Sequence, residues 1–284
     1  MKPETKALLR PLNRIRWVSK SRAVRTGLRG STHRSELRLP GLARYVLWDP
    51  EVSTFSYDVR NRQELAAAVA GLMDCTDAVV GGLFDELLED RELADEIRLA
   101  TRWHPESKRL PPLGRHLLAY ACLRLRRPRL AVEVGAKHGL GSLVLLRALE
   151  KNGAEGSQGI LLSVDIDPTA GWMVSKRRVG WEFSVGASAD VLSSAVAGRP
   201  VGFLLSDSVP DPAVTRHEFD VALAHMEAPL VLMQNGSWNS CTRDIATEFG
   251  GRLSTVVERP AAHWYPGRQV DMALLGEVPT SGRT

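Results

Sequence analysis

Residues 130–141 read Leu-Ala-Val-Glu-Val-Gly-Ala-Lys-His-Gly-Leu-Gly. A short apolar run carries a carboxylate, Glu133, near its end. Three glycines follow at 135, 139 and 141, and a helical pattern opens at Ser142. Strand, glycine-rich turn and helix, in that order, form the cradle by which an α/β sheet holds a nucleotide-like ligand. Gly135 lets the chain turn where a Cβ would clash. Gly139 and Gly141 let backbone come close to a ligand. The spacing G-x-x-x-G-x-G differs from the G-x-G-x-x-G of dinucleotide enzymes and from the G-x-x-x-x-G-K-[ST] of phosphate loops. Glu133, at the carboxyl end of the strand, suits a cationic amine better than a phosphate.

Residues 160–168, Ile-Leu-Leu-Ser-Val-Asp-Ile-Asp-Pro, read as the next strand, ending at Asp165. A carboxylate there can accept both hydroxyls of a ribose. The pattern Glu133-x-Gly135-x-x-x-Gly139-x-Gly141 resembles the first motif of the class I S-adenosylmethionine-dependent methyltransferases. Their cofactor carries an ammonium and a sulfonium but no phosphate. The resemblance covers roughly residues 113–277. It implies a cofactor site of Glu133, Gly135, Lys137, Gly139, Gly141, Ser142, Asp165, Ile166, Ala187, Ser188 and Asp207. Family members often carry an acidic residue where Ala187 stands, so adenine is expected to rest on backbone and apolar contacts. Ser188 and Asp190 serve equally well as helix caps.

The fourth strand is expected to end at Asp207-Ser208-Val209-Pro210, with Glu218 following. This resembles the D-S-x-H…E pattern of a subfamily of sugar and natural-product O-methyltransferases, with Pro210 in the place of the histidine. The resemblance implies small-molecule O-methylation, with Asp207 as first candidate for the catalytic base and His217 as second. The fifth strand ends at Gln234-Asn235, where metal-using relatives place aspartates. Neutral amides are poor ligands for a hard cation, so a metal-free site is expected. His138 in the glycine turn, Asn235, Trp238, and His263 and Tyr265 in the last hairpin loop are candidate acceptor contacts, with packing as an equal alternative for the hairpin pair.

These residues need elements to hold them. After Gly135 the chain alternates. Strands are expected at 130–134, 160–165, 182–186, 201–206, 229–234, 252–258 and 270–275, with helices at 142–152, 169–178, 188–197, 212–226 and 239–249. The last two strands are joined by a loop, Pro260 to Arg268. The expected fold is α/β: a doubly wound, Rossmann-like seven-stranded sheet with an antiparallel last strand, preceded by a helical N-terminal region. Three parts are expected. Residues 1–40 form a basic arm, 41–112 a helical lid or oligomerisation region, and 113–284 the S-adenosylmethionine-binding domain. Within the second part, 41–60 reads as loop or short strand. Helical patterns start near Gln63, Val79 and Glu92, and Pro111-Pro112 breaks the chain before a helix from Leu113 to Leu125.

Composition narrows the class. Of 284 residues, 44% are hydrophobic and 25% charged, the balance of a globular chain. No apolar run approaches the ~18 residues of a membrane span. The N-terminus lacks the apolar core of a signal peptide. Cys75, Cys122 and Cys241 are odd in number and far apart, which fits a reduced, cytoplasmic setting. The net charge of +4 divides into +9 over residues 1–38 and −5 over the rest. The arm has no RNA-binding signature. A weak contact with an anionic surface through residues 1–38 and a homodimer are the expected associations, beside a small-molecule acceptor. Two other readings stay open at this point: a nucleic-acid methyltransferase guided by the arm, and a non-catalytic protein that keeps the cofactor.

Overall fold

The computed structural model describes residues 20–21, 24–25, 39–48, 57–102, 114–261 and 263–276. Most of the basic arm, the Pro111-Pro112 break and Leu113 lie outside these residues. The described elements are α1 (Leu39–Trp48), α2 (Arg62–Met73), α3 (Asp77–Leu88), α4 (Arg91–Thr101), α5 (Gly114–Arg126), β1 (Leu130–Val134), α6 (Leu140–Ala154), β2 (Ile160–Asp165), β3 (Trp181–Val185), α7 (Ser188–Val196), β4 (Val201–Ser206), α8 (Pro212–Ala224), β5 (Met226–Asn235), α9 (Cys241–Glu248), β6 (Arg252–Val257) and β7 (Gln269–Leu275). The strands form one sheet in the order β3-β2-β1-β4-β5-β7-β6. β7 runs antiparallel to both β5 and β6, and the other pairs are parallel. This is the expected doubly wound sheet with an antiparallel last strand.

Both faces of the sheet are covered, which is why its central strands read as unbroken apolar runs. Alternate residues serve opposite faces. Ala131, Leu161, Phe203, Leu205, Val231 and Met233 join the core under α2–α6. Val132, Val134, Leu162, Val164, Leu204 and Leu232 join the second core under α7–α9. The first core also takes in Tyr57, Leu65, Val80 and Ile97, so the helices before β1 are packed into the same interior as the sheet. Among the described residues no single helix is long and apolar enough to cross a membrane.

Local chemistry sets the helix starts. Thr76, Asp90 and Asp211 accept first-turn N–H groups of α3, α4 and α8, and Pro212 opens α8 with its φ already helical.

Two expectations need correcting. Residues 169–178 are not a helix but a string of turns. The Asp167 side chain caps Thr169, Gly171 adopts φ +70°, and the N–H groups of Gly171 and Met173 go to Lys137 O and His138 O. Donors that an α-helix would turn inward are spent on the glycine-rich turn. Within 41–60, read as loop or short strand, Leu39–Trp48 forms α1, with Tyr45 buried against Trp264. Later in that stretch Val59 makes a single antiparallel bridge to Pro260.

Candidate functional site

Parallel strands whose connections lie on both faces leave a crevice at their carboxyl ends. There the chain leaves β1 through Gly135, with φ +97°. A Cβ at Gly135 would stand 2.5 Å from Asp207 O, because the turn passes directly over the end of β4. Gly139 has φ +92° and caps α6 with no side chain in the way. A Cβ there would meet the Gly171 backbone at 3.0 Å. Lys137 is exposed at φ +49°, and its N–H donates to Asp165 Oδ2 at 2.9 Å. The N–H of Asp167 donates to Asp165 Oδ1 at 2.9 Å. Asp165 therefore ties the glycine turn to the end of β2 and keeps oxygen lone pairs at the crevice. The glycines leave open backbone where side chains would stand, and the carboxylate marks the β2 end. These residues fit S-adenosylmethionine: the open start of α6 for its amino-acid carboxylate, and Asp165 for its ribose. Ile166 and Ala187 are exposed at the same edge.

Three other expected cofactor residues sit differently from a simple ligand contact. Glu133 is 3% exposed and accepts from Ser142 Oγ at 2.5 Å and Ser163 Oγ at 2.9 Å. Gly141 exists for that carboxylate, since a Cβ there would lie 2.5 Å from Glu133 Oε1. Burial pushes Glu133 up to about 7 from the ordinary 4.5, against the opposing pull of the two serine hydroxyls. Ser142 is thus turned to Glu133, and Ser188 is turned to Glu218. Glu218 is fully buried and accepts from Ser188 at 2.7 Å, Ser206 at 2.6 Å and Ser208 at 2.9 Å. This knot stitches α7, β4 and α8 together just below the crevice.

At the β4 end, Asp207 is not a free carboxylate. Arg115 Nη2, from the start of α5, lies 2.5 Å from Asp207 Oδ2, and Arg268 Nη1 lies 3.9 Å from Oδ1. Arg268 in turn faces Glu258, with Nε 3.3 Å from Oε1. Glu258 is fully buried and accepts from the Tyr57 hydroxyl at 2.8 Å and the Arg115 N–H at 2.9 Å. Burial, then Glu258, holds the Tyr57 phenol well above its ordinary range. Burial also raises Tyr265. Burial, then the two arginines, holds His116 well below its ordinary value, so its imidazole is neutral. The network is two guanidiniums and two carboxylates walled by neutral rings. Sequence reading missed Arg115, Arg268, Glu258, Tyr57 and His116. One signal was available: the β6–β7 loop returns at the carboxyl edge, so both Glu258 and Arg268 flank the crevice by topology alone.

The other candidates divide. His138 lies beside Trp172, with ring centroids 5.6 Å apart, on the turn that covers the glycine loop. Asn235 Oδ1 accepts from the Ser237 N–H at 3.1 Å, so its amide shapes the turn after β5. Trp238 lines a cleft of about 540 Å³ with Asn239, Ser240, Arg243 and Gln269. His263 Nδ1 accepts from the Tyr265 N–H, and both rings pack on Tyr57 at 5.4 and 5.6 Å. Tyr265 also lies under the Arg268 guanidinium at 5.8 Å. His217 is half-buried on α8; no contact joins it to Asp207, and its Nε2 finds no hydrogen-bond partner among the described residues. Among those residues no group of three or more His, Cys, Asp or Glu is placed to hold a metal ion.

The glycine cradle, the β2 carboxylate and the β7 inversion together resemble the class I S-adenosylmethionine-dependent methyltransferase fold. Residues 132–233 match the family model described as a methyltransferase domain. No curated protein matches the sequence. In fold the chain is similar to TomG of Streptomyces achromogenes, an O-methyltransferase involved in tomaymycin synthesis and solved with its cofactor: TM-score 0.51, 17% identity, 66% of this chain and 91% of that one. It is similar as well to a putative O-methyltransferase from Klebsiella pneumoniae: TM-score 0.50, 12% identity, 70% of this chain and 97% of that one.

Proposed function

We propose that this protein methylates an oxygen of a small-molecule acceptor, in secondary-metabolite or sugar modification, with S-adenosylmethionine as donor. The cradle of Gly135 and Gly139, with Asp165 at its side, carries the reading. S-adenosylmethionine supplies an electrophilic methyl group on a sulfonium. The chain's part is to orient the donor and to present an acceptor oxygen in line with that methyl. On this reading Asp165 holds the ribose, Gly139 and the start of α6 receive the carboxylate, and Ile166 and Ala187 lie beneath the adenine. The acceptor enters at the β4–β5–β7 end. The cleft walled by Trp238, Asn239, Arg243 and Gln269, at about 540 Å³, matches a small molecule. The kinship in fold to TomG supports oxygen as the acceptor atom and natural-product chemistry as the setting. Residues 41–112 enclose the acceptor or make a homodimer contact, and the three free cysteines suit a cytoplasmic location.

Calorimetric titration with S-adenosylmethionine tests the foundation. The wild type is expected to bind, and Asp165→Ala to bind at least ~10-fold more weakly, because a ribose–carboxylate pair and the anchor of the turn are both lost. Equal binding by the two proteins, or none by the wild type, sinks the proposal. Formation of S-adenosylhomocysteine only when hydroxylated small molecules are added then identifies the acceptor class.

A further inference from the structure

The β4 end holds one carboxylate between two guanidiniums, and that arrangement bears on how the acceptor is received. Asp207 is shared by Arg115 at 2.5 Å and Arg268 at 3.9 Å. A carboxylate engaged in this way turns its oxygens to the guanidiniums and not to an incoming hydroxyl. Asp207 is also the residue whose place at the crevice most suits a base. The sequence supplies no free carboxylate in its stead at the end of β5, where Gln234 and Asn235 are amides turned to Asn239 and Ser237. A hydroxyl acceptor therefore needs another route to a nucleophilic oxygen.

We propose, building on the methyltransferase reading above, that the acceptor binds as an oxyanion of the phenolate or enolate type, held by Arg115 with Arg268 behind it. The acceptor O–H bond breaks, its electron pair stays on oxygen, and the proton leaves to solvent water. The guanidiniums favour the ionised oxygen as a bound cation would, with no proton transferred to the protein.

Three observations carry this. Arg115 reaches the crevice from α5 with its side chain 21% exposed, while Arg268 is 7% exposed and braced from behind by Glu258 and the Tyr265 ring. Arg115 gives Asp207 one of five donors, and its buried Nε has no hydrogen-bond partner among the described residues. The fork is thus incompletely satisfied. Last, Glu258 accepts from the Arg115 backbone N–H and faces the Arg268 guanidinium, so the start of α5 and the Arg268 side chain share one buried anchor. Since Arg115 and Arg268 are balanced by Asp207 and Glu258, an incoming oxyanion competes with Asp207 for them. An amine acceptor, protonated on arrival, would meet two like charges there.

The full-length protein is titrated with 4-nitrophenolate and with its uncharged methyl ether, 4-nitroanisole, with and without S-adenosylhomocysteine. Wild type is expected to prefer the phenolate by about 10-fold or more, one charge-assisted hydrogen bond. Arg115→Met is expected to lose the preference and Arg115→Lys to keep part of it, thermal melts confirming that each is folded. Asp207→Asn is expected to tighten phenolate binding roughly threefold or more, because it removes the competitor. The loss in a folded Arg115→Met is the distinguishing result, since removing the negative charge at Asp207 strengthens anion binding whether or not that carboxylate is a base. The inference is overturned if the wild type shows no preference, if a folded Arg115→Met keeps it, or if Asp207→Asn weakens the phenolate. Should the lysine variant alone fold, an undiminished preference in it overturns the idea. Binding of S-adenosylhomocysteine in the same samples separates the cases. If it persists while the preference is missing, only this inference falls; if it is absent from wild type, the functional reading falls with it.

Discussion

Replacing Glu133 with glutamine should change how stability depends on pH more than stability itself. Glu133 is 3% exposed, beneath the glycine turn, and among the described residues its hydrogen-bond partners are the hydroxyls of Ser142 and Ser163. Desolvation pushes its carboxyl up to about 7 from 4.5; Asp207 adds to the rise, and the serines and Arg115 oppose it. Between those two values the folded protein keeps a proton that the unfolded chain has lost. Stability from this group is therefore complete below about pH 4.5 and disappears as pH rises through about 7. The full excursion is roughly 3 kcal/mol at ~1.4 kcal/mol per unit, and roughly 2 kcal/mol of it falls between about pH 5.5 and 8. Glutamine has the same shape and no titration, and both serine hydroxyls can rotate to suit it. Urea unfolding of wild type and Glu133→Gln at those two pH values isolates the effect: the wild type loses about 2 kcal/mol relative to the variant on going to the higher pH. Parallel pH dependence in the two proteins would refute the buried, protonated carboxyl. S-adenosylmethionine adds a linked check. Its ammonium beside Glu133 should drive the proton off, so that its binding enthalpy near pH 7 varies with the ionisation enthalpy of the buffer. No such variation would mean the ammonium is bound elsewhere.

Gly139→Ala should cost about 1–3 kcal/mol, since it forces a Cβ into φ +92° and within 3.0 Å of the Gly171 backbone; it should weaken the cofactor too, and an unchanged melting temperature together with unchanged affinity counts against the cradle. Glu218→Ala should destabilise the fold by ~3 kcal/mol by orphaning three serine hydroxyls, whereas Glu218→Gln should cost less; a ranking in the opposite order by chemical denaturation would show that the charge, not the hydrogen bonding, matters.

Strands β1, β2 and β4 were legible to the residue, because a strand covered on both faces is an uninterrupted apolar run closed by a polar residue: Glu133-Val134-Gly135, Asp165 and Ser206-Asp207. The glycine turn was legible because its function depends on missing side chains, and absence at fixed spacing is visible in one dimension. Residues 169–178 misled because Ala170, Trp172, Met173 and Val174 have helical spacing. What decides their conformation is two backbone hydrogen bonds to Lys137 and His138, more than thirty positions away. The expectation for α1 failed similarly, as the burial of Tyr45 against Trp264 is a contact across most of the chain.

The sequence by itself determined the sheet and its glycine-rich cradle, because these depend on local periodicity and on residue types a few positions apart. Only the tertiary structure decided the chemistry of the acceptor end. Asp207 reads as a candidate base in one dimension. In three it is shared between guanidiniums from residues 115 and 268, anchored by a glutamate at 258 that also holds Tyr57. What a carboxylate can engage is set by the groups that already pair with it, and which groups those are is a property of the fold.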